Sequence, residues 1–321
     1  MVNDPDALRF TVQVEDAGKR LDAFLAEQIA GWSRSRLQSV IADSDVTVDG
    51  KPAKASHKIR TGEEIEVELP PPPDTTFQPE NLPLDIVYED EYLAVINKPA
   101  GMVVHPGAGL SGGTLANAIA YHLGLAFSGS DSVRHRVGIV HRLDKDTSGL
   151  IVVAKDEATH DWLSAQFRMR RVEKNYVSLV HGAVREVAGE IDRPIARDRR
   201  NRTRMTVSVQ GRRAITRWRV RRRFNKFTLL DINIKTGRTH QIRVHLASIH
   251  HPVVGDPVYN EGRDKTIANP EIRKAVERLG RFFLHSAHLG FRHPQTQKFI
   301  EFSMPLPTEL ASLLEIIECN E

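Results

Sequence analysis

One stretch of the sequence places a carboxylate between two cations, directly after an apolar run. Residues 138–150 read GIVHRLDKDTSGL, so Asp144 lies between Arg142 and Lys145. Neighbouring cations keep a carboxylate ionised, and an ionised carboxylate can act as a nucleophile or as a base. From the residues alone, the segment is either a catalytic loop or a salt-bridged turn.

A second stretch, 236–245, reads TGRTHQIRVH and predicts a strand that gives way to a helix over 239–249. The helix has an apolar stripe, and Arg243 lies beside that stripe instead of opposite it. A half-buried arginine needs a carboxylate partner. We therefore predict that Arg243 pairs with Asp144.

The positive charge of the chain is concentrated in one segment. Residues 193–223 hold thirteen arginines and one acid, Asp198, whereas the whole chain has a net charge of only +4. Arginines form forked hydrogen bonds with phosphate groups, so such a segment is typical of a nucleic-acid partner. The alternative is a solvated, arginine-rich surface loop. The residues predicted to contact the nucleic acid here are Arg199, Arg200 and Arg202.

Two patterns that could indicate a cofactor lack the context that a cofactor needs. Residues 107–112 read GAGLSG, but Pro106 separates them from the preceding strand and no βαβ succession follows. The histidines of the C-terminal half show no H-E-x-x-H pattern and no cysteine pair. We therefore predict no cofactor and no metal.

Length and composition predict a folded protein of two domains. The chain has 321 residues, of which 40% are hydrophobic and 27% charged. The sequence contains no apolar run of 18 residues and no secretory pattern at its start, so no membrane association is expected. A single cysteine, Cys319, fits a reducing, cytoplasmic location.

Four consecutive prolines mark the domain boundary. Prolines 70–73 donate no backbone hydrogen bond and stay extended, so we predict a linker over 70–77. The preceding module, 1–69, is predicted to contain two helices and a hairpin, with Arg34 and Arg36 facing outward. Residues 78–321 mix short strands and helices without a βαβ period, which favours an α+β domain.

The predicted elements of this second domain follow from hydrophobic periodicity. The predicted strands cover 92–97, 137–143, 150–154, 175–180, 217–224, 227–234 and 298–304. The predicted helices cover 115–123, 157–169, 239–249 and 271–279.

Three motifs together resemble one family. HRLDKDTSGL at 141–150 and GRTHQIRVH at 237–245 are similar to motifs of the RluA family of RNA pseudouridine synthases. NKPAG at 97–101 resembles its first motif, and VHPGAG at 104–109 is similar to the RluD branch. The module before the prolines resembles an S-four-type RNA-binding domain.

The resemblance implies a pseudouridine synthase fold with a mainly antiparallel sheet, and it assigns roles by position. Asp144 falls on the catalytic aspartate, Tyr176 on the active-site tyrosine and Arg243 on the ion-pair arginine. Arg142 falls on the arginine that fills the gap left by a flipped base. Ser286 stands where the family usually has alanine.

The implied substrate is large-subunit ribosomal RNA, free or in a pre-ribosomal particle, modified without a cofactor by a monomer. Two alternatives stay open at this point: a non-catalytic RNA-binding protein, and a hydrolase that releases uracil. The role of residues 261–280 is not predicted.

Overall fold

The computed structural model describes residues 7–29, 32, 34–42, 45–68, 78–106, 112–124, 138–198, 201 and 204–320. These residues fall into two compact units, Met1–Thr75 and Thr76–Glu321. The predicted linker, 70–77, lies outside the described residues, so its boundaries stay a prediction. The two units are considered separately below.

The first unit packs two helices against a small antiparallel sheet with the strand order β1-β4-β2-β3. In β4, Ile65 and Val67 are buried and alternate with glutamates, as expected for a strand with one face in the core. Asp49 and Gly50 have φ values of 48° and 69°, which the tight turn between β2 and β3 requires. The elements are β1 Ala7–Thr11, α1 Leu21–Gln28, α2 Arg34–Ala42, β2 Val46–Val48, β3 Lys51–Pro52 and β4 Glu64–Glu68, with a 3-10 turn at Val14–Asp16.

The second unit continues with eleven strands and five helices among its described residues. The strands are β5 Ile86–Glu89, β6 Leu93–Lys98, β7 Ser148–Ala154, β8 Glu173–His181, β9 Ala188–Asp192, β10 Ile195–Arg197, β11 Met205–Val207, β12 Ile215–Arg223, β13 Phe227–Ile234, β14 Leu284–Arg292 and β15 Phe299–Ser303. The helices are α3 Leu115–His122, α4 Glu157–Arg168, α5 Gln241–Ser248, α6 Pro270–Leu279 and α7 Thr308–Cys319, with a 3-10 turn at Arg263–Thr266.

Nine of these strands form one sheet in the order β5-β6-β7-β14-β8-β13-β12-β9, and β15 pairs with β14. Its strand pairs are antiparallel except for β7 and β14, which run parallel. Strands β10 and β11 form a separate hairpin. The predicted mixed, mainly antiparallel α+β fold is therefore confirmed.

Both faces of the central strands are buried. In β7, Ile151 and Val153 belong to a large cluster that also contains residues of α3, α5, α6 and α7. Leu150 and Val152 point to the opposite face, where they meet Leu163 of α4. Residues buried on both faces explain why β7 reads as a continuous apolar run.

The predicted strand over 137–143 is wrong. Residue 137 lies outside the described residues, and over 138–143 only Ile139 forms an isolated bridge, to Val153. Gly138 has a φ of 65°, and a side chain there would meet the backbone of Ala154. The backbone therefore turns at Gly138, and the apolar residues that follow form an irregular segment that leads to Asp144.

Candidate active site

Asp144 lies in the loop that enters β7, and its side chain is 19% exposed. The loop closes on itself, because the amide of Thr147 donates to the carbonyl of Asp144 at 3.1 Å. The carbonyl of Lys145 accepts from the amide of Gly101 at 3.0 Å. The carboxylate is therefore accessible, while the backbone that carries it is fixed.

Lys98 ties this loop to the end of β6 from inside the protein. Its side chain is fully buried, and Nζ donates to the carbonyls of Pro99 at 2.7 Å, Met102 at 2.9 Å and Lys145 at 3.0 Å. Burial, together with the nearby charge of Arg281, lowers the pKa of Lys98 to about 7. The lysine therefore holds the Asp144 loop through the backbone carbonyl of Lys145 and not through the carboxylate of Asp144.

Arg243, on α5, is shared by two carboxylates. Nη1 donates to Oδ2 of Asp144 at 3.1 Å, while Nε and Nη2 donate to the two oxygens of Asp256 at 2.7 and 2.8 Å. The Arg243–Asp144 contact is the pairing predicted from the sequence. Asp256 takes the forked contact and is fully buried, so it fixes the direction in which the guanidinium faces Asp144.

Two aromatic rings enclose the guanidinium of Arg243. Its Cζ lies 4.2 Å from the ring centroid of Phe282 and 5.1 Å from that of Tyr259. Burial opposes the charge of Arg243, but the two aspartates outweigh burial and raise the pKa of Arg243 above its ordinary value. Arg243 is therefore a permanent cation beside Asp144.

Tyr176 lies in the middle of the sheet, on β8, and is 5% exposed. It is opposite Ser286 of β14 in the strand register and forms a hydrogen bond with it. Burial raises the pKa of Tyr176, and the charge of Asp144 raises it further. The phenol is therefore neutral, and Tyr176 interacts electrostatically with Asp144.

Arg142 is exposed two residues before Asp144. The preceding His141 is held inward: its Nε2 accepts from the amide of Val152 at 3.1 Å and its ring stacks on Phe167 with centroids 4.5 Å apart. Burial lowers the pKa of His141 to about 3, so this imidazole is neutral. An anchored His141 thus leaves Arg142 facing the solvent beside the Asp144 loop.

The residues predicted to contact RNA fall in different environments. Arg34 is half exposed and donates to the fully buried Asp22 at 3.1 Å, so it also stabilises the first unit. Hydrogen bonds from Arg20, Arg34 and Gln38 lower the pKa of Asp22, although burial opposes this. The side chain of Arg36 and the whole of Arg199, Arg200 and Arg202 lie outside the described residues.

The basic segment 193–223 is divided by the structure into a hairpin and a strand. The hairpin β10–β11 flanks residues 199–203, whereas β12 holds five arginines in the large sheet. Several of the segment's arginines are paired with acids: Arg213 with Asp192, Arg217 with Glu190, Arg221 with Asp231 and Arg222 with Glu318. Part of the charge that the sequence concentrates in one run is therefore neutralised by neighbouring elements.

Four residues near the site were not identified from the sequence: Lys98, Asp256, Tyr259 and Phe282. Asp256 offered one signal, because it is an acid within the largely apolar run VVGDPVY. The segment 261–280, whose role was not predicted, contributes Asp264, which accepts from the amide of Gly255 beside Asp256.

Within the described residues, no group of three or more histidine, cysteine, aspartate or glutamate side chains could hold a metal ion. His245, one of the histidines considered as a ligand, instead contacts Thr216 and the carbonyl of Arg193. Residues 107–111 of the glycine-rich motif lie outside the described part of the chain. No helix in the described ranges is long and apolar enough to cross a membrane.

Comparison with known proteins identifies the class to which this mainly antiparallel fold belongs, a class of RNA-modifying enzymes. Residues 92–248 match the family model described as RNA pseudouridylate synthase, and residues 19–65 match the S4 domain. The chain belongs to the RNA pseudouridine synthase family.

Several known proteins match this chain over nearly its whole length. The ribosomal large subunit pseudouridine synthase D of Nitrosomonas europaea is 45% identical, covering 97% of this chain and 88% of that protein. Its namesake in Escherichia coli is 39% identical, with 98% and 95% covered. The solved structure of human RNA pseudouridylate synthase domain containing 1 is 26% identical, with a TM-score of 0.55, and covers 73% of this chain and 89% of that one. The chain is therefore an RNA pseudouridine synthase with an S4 domain.

Proposed function

We propose that this enzyme converts specific uridines of large-subunit ribosomal RNA to pseudouridine, with Asp144 as its catalytic carboxylate. The observation that carries the residue assignment is the contact of Asp144 with Arg243, 3.1 Å long, beside the neutral Tyr176. The names of the relatives that match over the full length support the choice of RNA.

The reaction rearranges one nucleotide without adding or removing atoms. The bond from C1′ of the ribose to N1 of uracil breaks, the uracil rotates, and C1′ bonds to C5. The proton on C5 leaves and N1 gains one, so substrate and product have the same mass. No electron donor or acceptor is needed, and we propose that the enzyme uses no cofactor.

In this proposal the carboxylate of Asp144 is the group that reacts with the nucleotide, and Arg243 keeps it charged and aimed. Arg243 cannot swing away, because Asp256 holds it with two hydrogen bonds. A guanidinium in a partly buried site favours the ionised form of a neighbouring carboxylate. Asp144 therefore presents a fixed carboxylate to the nucleotide, for attack on the anomeric carbon, addition to the uracil ring or removal of a ribose proton.

A uridine within a folded RNA must leave its stack to reach Asp144. Flipping a base costs a few kcal/mol, which contacts with the vacated space and with the flipped base offset. Arg142 is exposed next to Asp144 and suits the vacated space, while Tyr176 offers a ring to the uracil. Because Tyr176 is 5% exposed, we expect its neighbours to move when the base enters.

RNA affinity is proposed to come from phosphate contacts. The candidates are Arg34, Arg36, Arg199, Arg200 and Arg202. We also propose that the enzyme is a monomer and acts in the cytoplasm. Its substrate is ribosomal RNA, either free or in a pre-ribosomal particle.

The test compares purified enzyme on naked large-subunit and small-subunit ribosomal RNA from a strain that lacks the gene. Pseudouridine is mapped by its chemical adduct at single-nucleotide resolution. We expect new pseudouridines in the large-subunit RNA alone, and none with Asp144→Asn. Modification restricted to another RNA would refute the substrate, whereas abasic sites in place of pseudouridine would indicate the hydrolase.

A further inference from the structure

Tyr259 contacts the arginine hairpin, which is defined as strands β10 and β11, at the end where Arg197 pairs with Met205. The amide of Met205, the first residue of β11, donates to the hydroxyl of Tyr259 at 2.8 Å. The guanidinium of Arg204 lies over the Tyr259 ring, 5.3 Å from its centroid. Tyr259 thus contacts the backbone of Met205, where β11 begins, and the side chain of Arg204, the residue before β11.

The same ring contacts the catalytic ion pair. The guanidinium of Arg243 lies 5.1 Å from the centroid of Tyr259. The amide of Tyr259 donates to Oδ1 of Asp256 at 3.2 Å, the oxygen that also accepts from Arg243. One residue therefore touches the hairpin, the guanidinium that faces Asp144, and the carboxylate that aims this guanidinium.

A third contact of Tyr259 involves His240, which precedes α5, the helix that carries Arg243. The hydroxyl of Tyr259 lies 2.9 Å from Nδ1 of His240. Burial lowers the pKa of His240, so its ring is neutral and Nδ1 can accept from the tyrosine. His240 has a φ of 54°, a left-handed conformation that a non-glycine residue keeps only where its surroundings hold it.

These contacts form a chain: the Met205 amide donates to the Tyr259 hydroxyl, and that hydroxyl shares a hydrogen bond with Nδ1 of His240. Apolar packing supports the chain, because Tyr259 shares a hydrophobic cluster with Ile195 of β10 and Val244 of α5. Tyr259 therefore connects β11 to the residue before α5 and to Arg243.

We propose that Tyr259 is a positioning residue that couples the arginine hairpin to the Asp144–Arg243 pair. RNA that engages the hairpin then accelerates the reaction at Asp144, in addition to contributing affinity. The proposal rests on the proposed function in taking RNA as the ligand of the hairpin and Asp144 as the reacting carboxylate. It predicts that a defect at Tyr259 appears in the rate at saturating RNA and not in binding.

The test uses Tyr259→Phe in the full-length enzyme, which keeps the ring over Arg243 and removes the hydroxyl. The matched control is Tyr88→Phe, since Tyr88 also donates its hydroxyl to a partner, Asp90, at 2.7 Å. Single-turnover rates are measured across RNA concentrations, with an RNA that the wild type modifies. We expect the saturating rate of Tyr259→Phe to fall about tenfold, with its apparent Kd and the control's rate both within twofold of wild type.

Arg204→Met tests the coupling from the hairpin side. We expect it to slow the saturating rate in the wild-type background and to have less than half of that logarithmic effect in Tyr259→Phe, because coupled residues are not additive. Equal effects in both backgrounds, or a loss in Tyr259→Phe confined to Kd, would overturn the proposal. Absence of pseudouridine with wild type would contradict the proposed function instead. Thermal melting shows whether Tyr259→Phe folds. If it does not fold, Tyr259→Trp replaces it, and its saturating rate and apparent Kd are judged by the same criterion.

Discussion

At the scale of single residues, Arg243 is shared by two carboxylates that differ in burial and in their contacts. Asp144 and Asp256 share Arg243, but Asp256 is fully buried and takes two of the three hydrogen bonds. A buried carboxylate with a forked partner has a high cost of rearrangement. The third guanidinium nitrogen donates to Asp144, whose side chain is 19% exposed, and we propose that substrate reaches this carboxylate.

Asp144→Asn tests that division of roles. The amide keeps the shape of the side chain and its contact with Arg243, but it is neither a nucleophile nor a base at neutral pH. We expect pseudouridine formation to fall by about a thousandfold or more, with RNA affinity within twofold of wild type. Asp146→Asn, two residues away, is the control that should stay active. Turnover by Asp144→Asn above a contamination control would remove Asp144 from the mechanism.

Lys98 is predicted to make the stability of the protein depend on pH. Its pKa is about 7 in the folded protein, against about 10.4 in an unfolded chain. Between these values the unfolded chain binds more protons, so this group makes the free energy of unfolding rise with pH, by up to about 1.4 kcal/mol per unit. This contribution is absent below pH 7, where both states are protonated.

Urea unfolding of wild type and Lys98→Met at pH 6, 7.5 and 9 measures this effect. Lys98→Met leaves three carbonyls without their donor, so we expect it to be destabilised by about 2–4 kcal/mol at pH 6. The gap between wild type and variant should widen towards pH 9. Lys298→Met, at an exposed lysine, should show a constant gap. A narrowing gap would mean that the ammonium is the favoured form.

At the scale of elements, the pairing of β7 with β14 joins the Asp144 loop to Tyr176. Strand β7 begins four residues after Asp144, and β14 lies between β7 and β8. Gly149 allows this close approach, because a Cβ there would lie 2.2 Å from the carbonyl oxygen of Ser286. Its φ of 109° is also unfavourable for any other residue.

Gly149→Ala should therefore separate the two strands. We expect a loss of more than about 3 kcal/mol of stability, together with loss of activity, because both strain and a backbone clash are introduced. Gly237→Ala is the matched control for stability, since a Cβ at Gly237 has no neighbour within 4 Å. Equal melting temperatures for the two variants would show that the strand pair can separate without cost.

The arginines between β10 and β11 in the sequence can be tested through the salt dependence of RNA binding, which reports their charge. Changing Arg199, Arg200 and Arg202 to alanine should reduce the salt dependence of RNA binding, by about 0.7–0.9 in log–log slope for each lost phosphate contact. Arg217→Ala, at an arginine already paired with Glu190, should leave the slope nearly unchanged. An unaltered slope in the triple variant would favour the solvated-loop alternative for this segment.

The elements also show where sequence reasoning succeeds and where it stops. The helix carrying Arg243 was predicted because its apolar stripe is periodic, and the stripe implied the contact with Asp144. Strand β14 was missed because its buried positions include polar residues, which are satisfied by distant partners: Ser286 donates to the carbonyl of Leu150, and His285 contacts Ser148. Such partners, like Asp256 for Arg243, are fixed by tertiary packing and leave no periodic trace in the sequence.

At the scale of the whole molecule, we propose that the first unit contributes RNA binding and that the second carries the chemistry. The described residues that surround Asp144 belong to the unit Thr76–Glu321. The unit Met1–Thr75 contains the match to the S4 domain and its own hydrophobic core, built around residues such as Leu25 and Leu37. Each unit therefore has the core that independent folding requires.

Removal of residues 1–75 should leave a folded, active enzyme with weaker RNA binding. A module that binds substrate and transition state equally changes KM but not kcat, so we expect a similar single-turnover rate at saturating RNA. The apparent Kd should rise by about tenfold or more, because two linked contacts bind RNA more tightly than one. This avidity depends on the reach of the predicted linker, which lies outside the described residues.

Rates measured across RNA concentrations for the full-length and shortened enzymes give both quantities. Circular dichroism and thermal melting of the shortened enzyme establish that it is folded. An exposed double change in the first unit, Lys51→Ala with Lys54→Ala, is the matched control that keeps the unit and removes part of its positive charge. A shortened enzyme that folds and binds RNA normally, yet reacts a hundredfold more slowly at saturation, would show that the first unit helps to assemble the active site. The separation of binding from chemistry would then be wrong, because the lost contacts would be ones made only in the transition state.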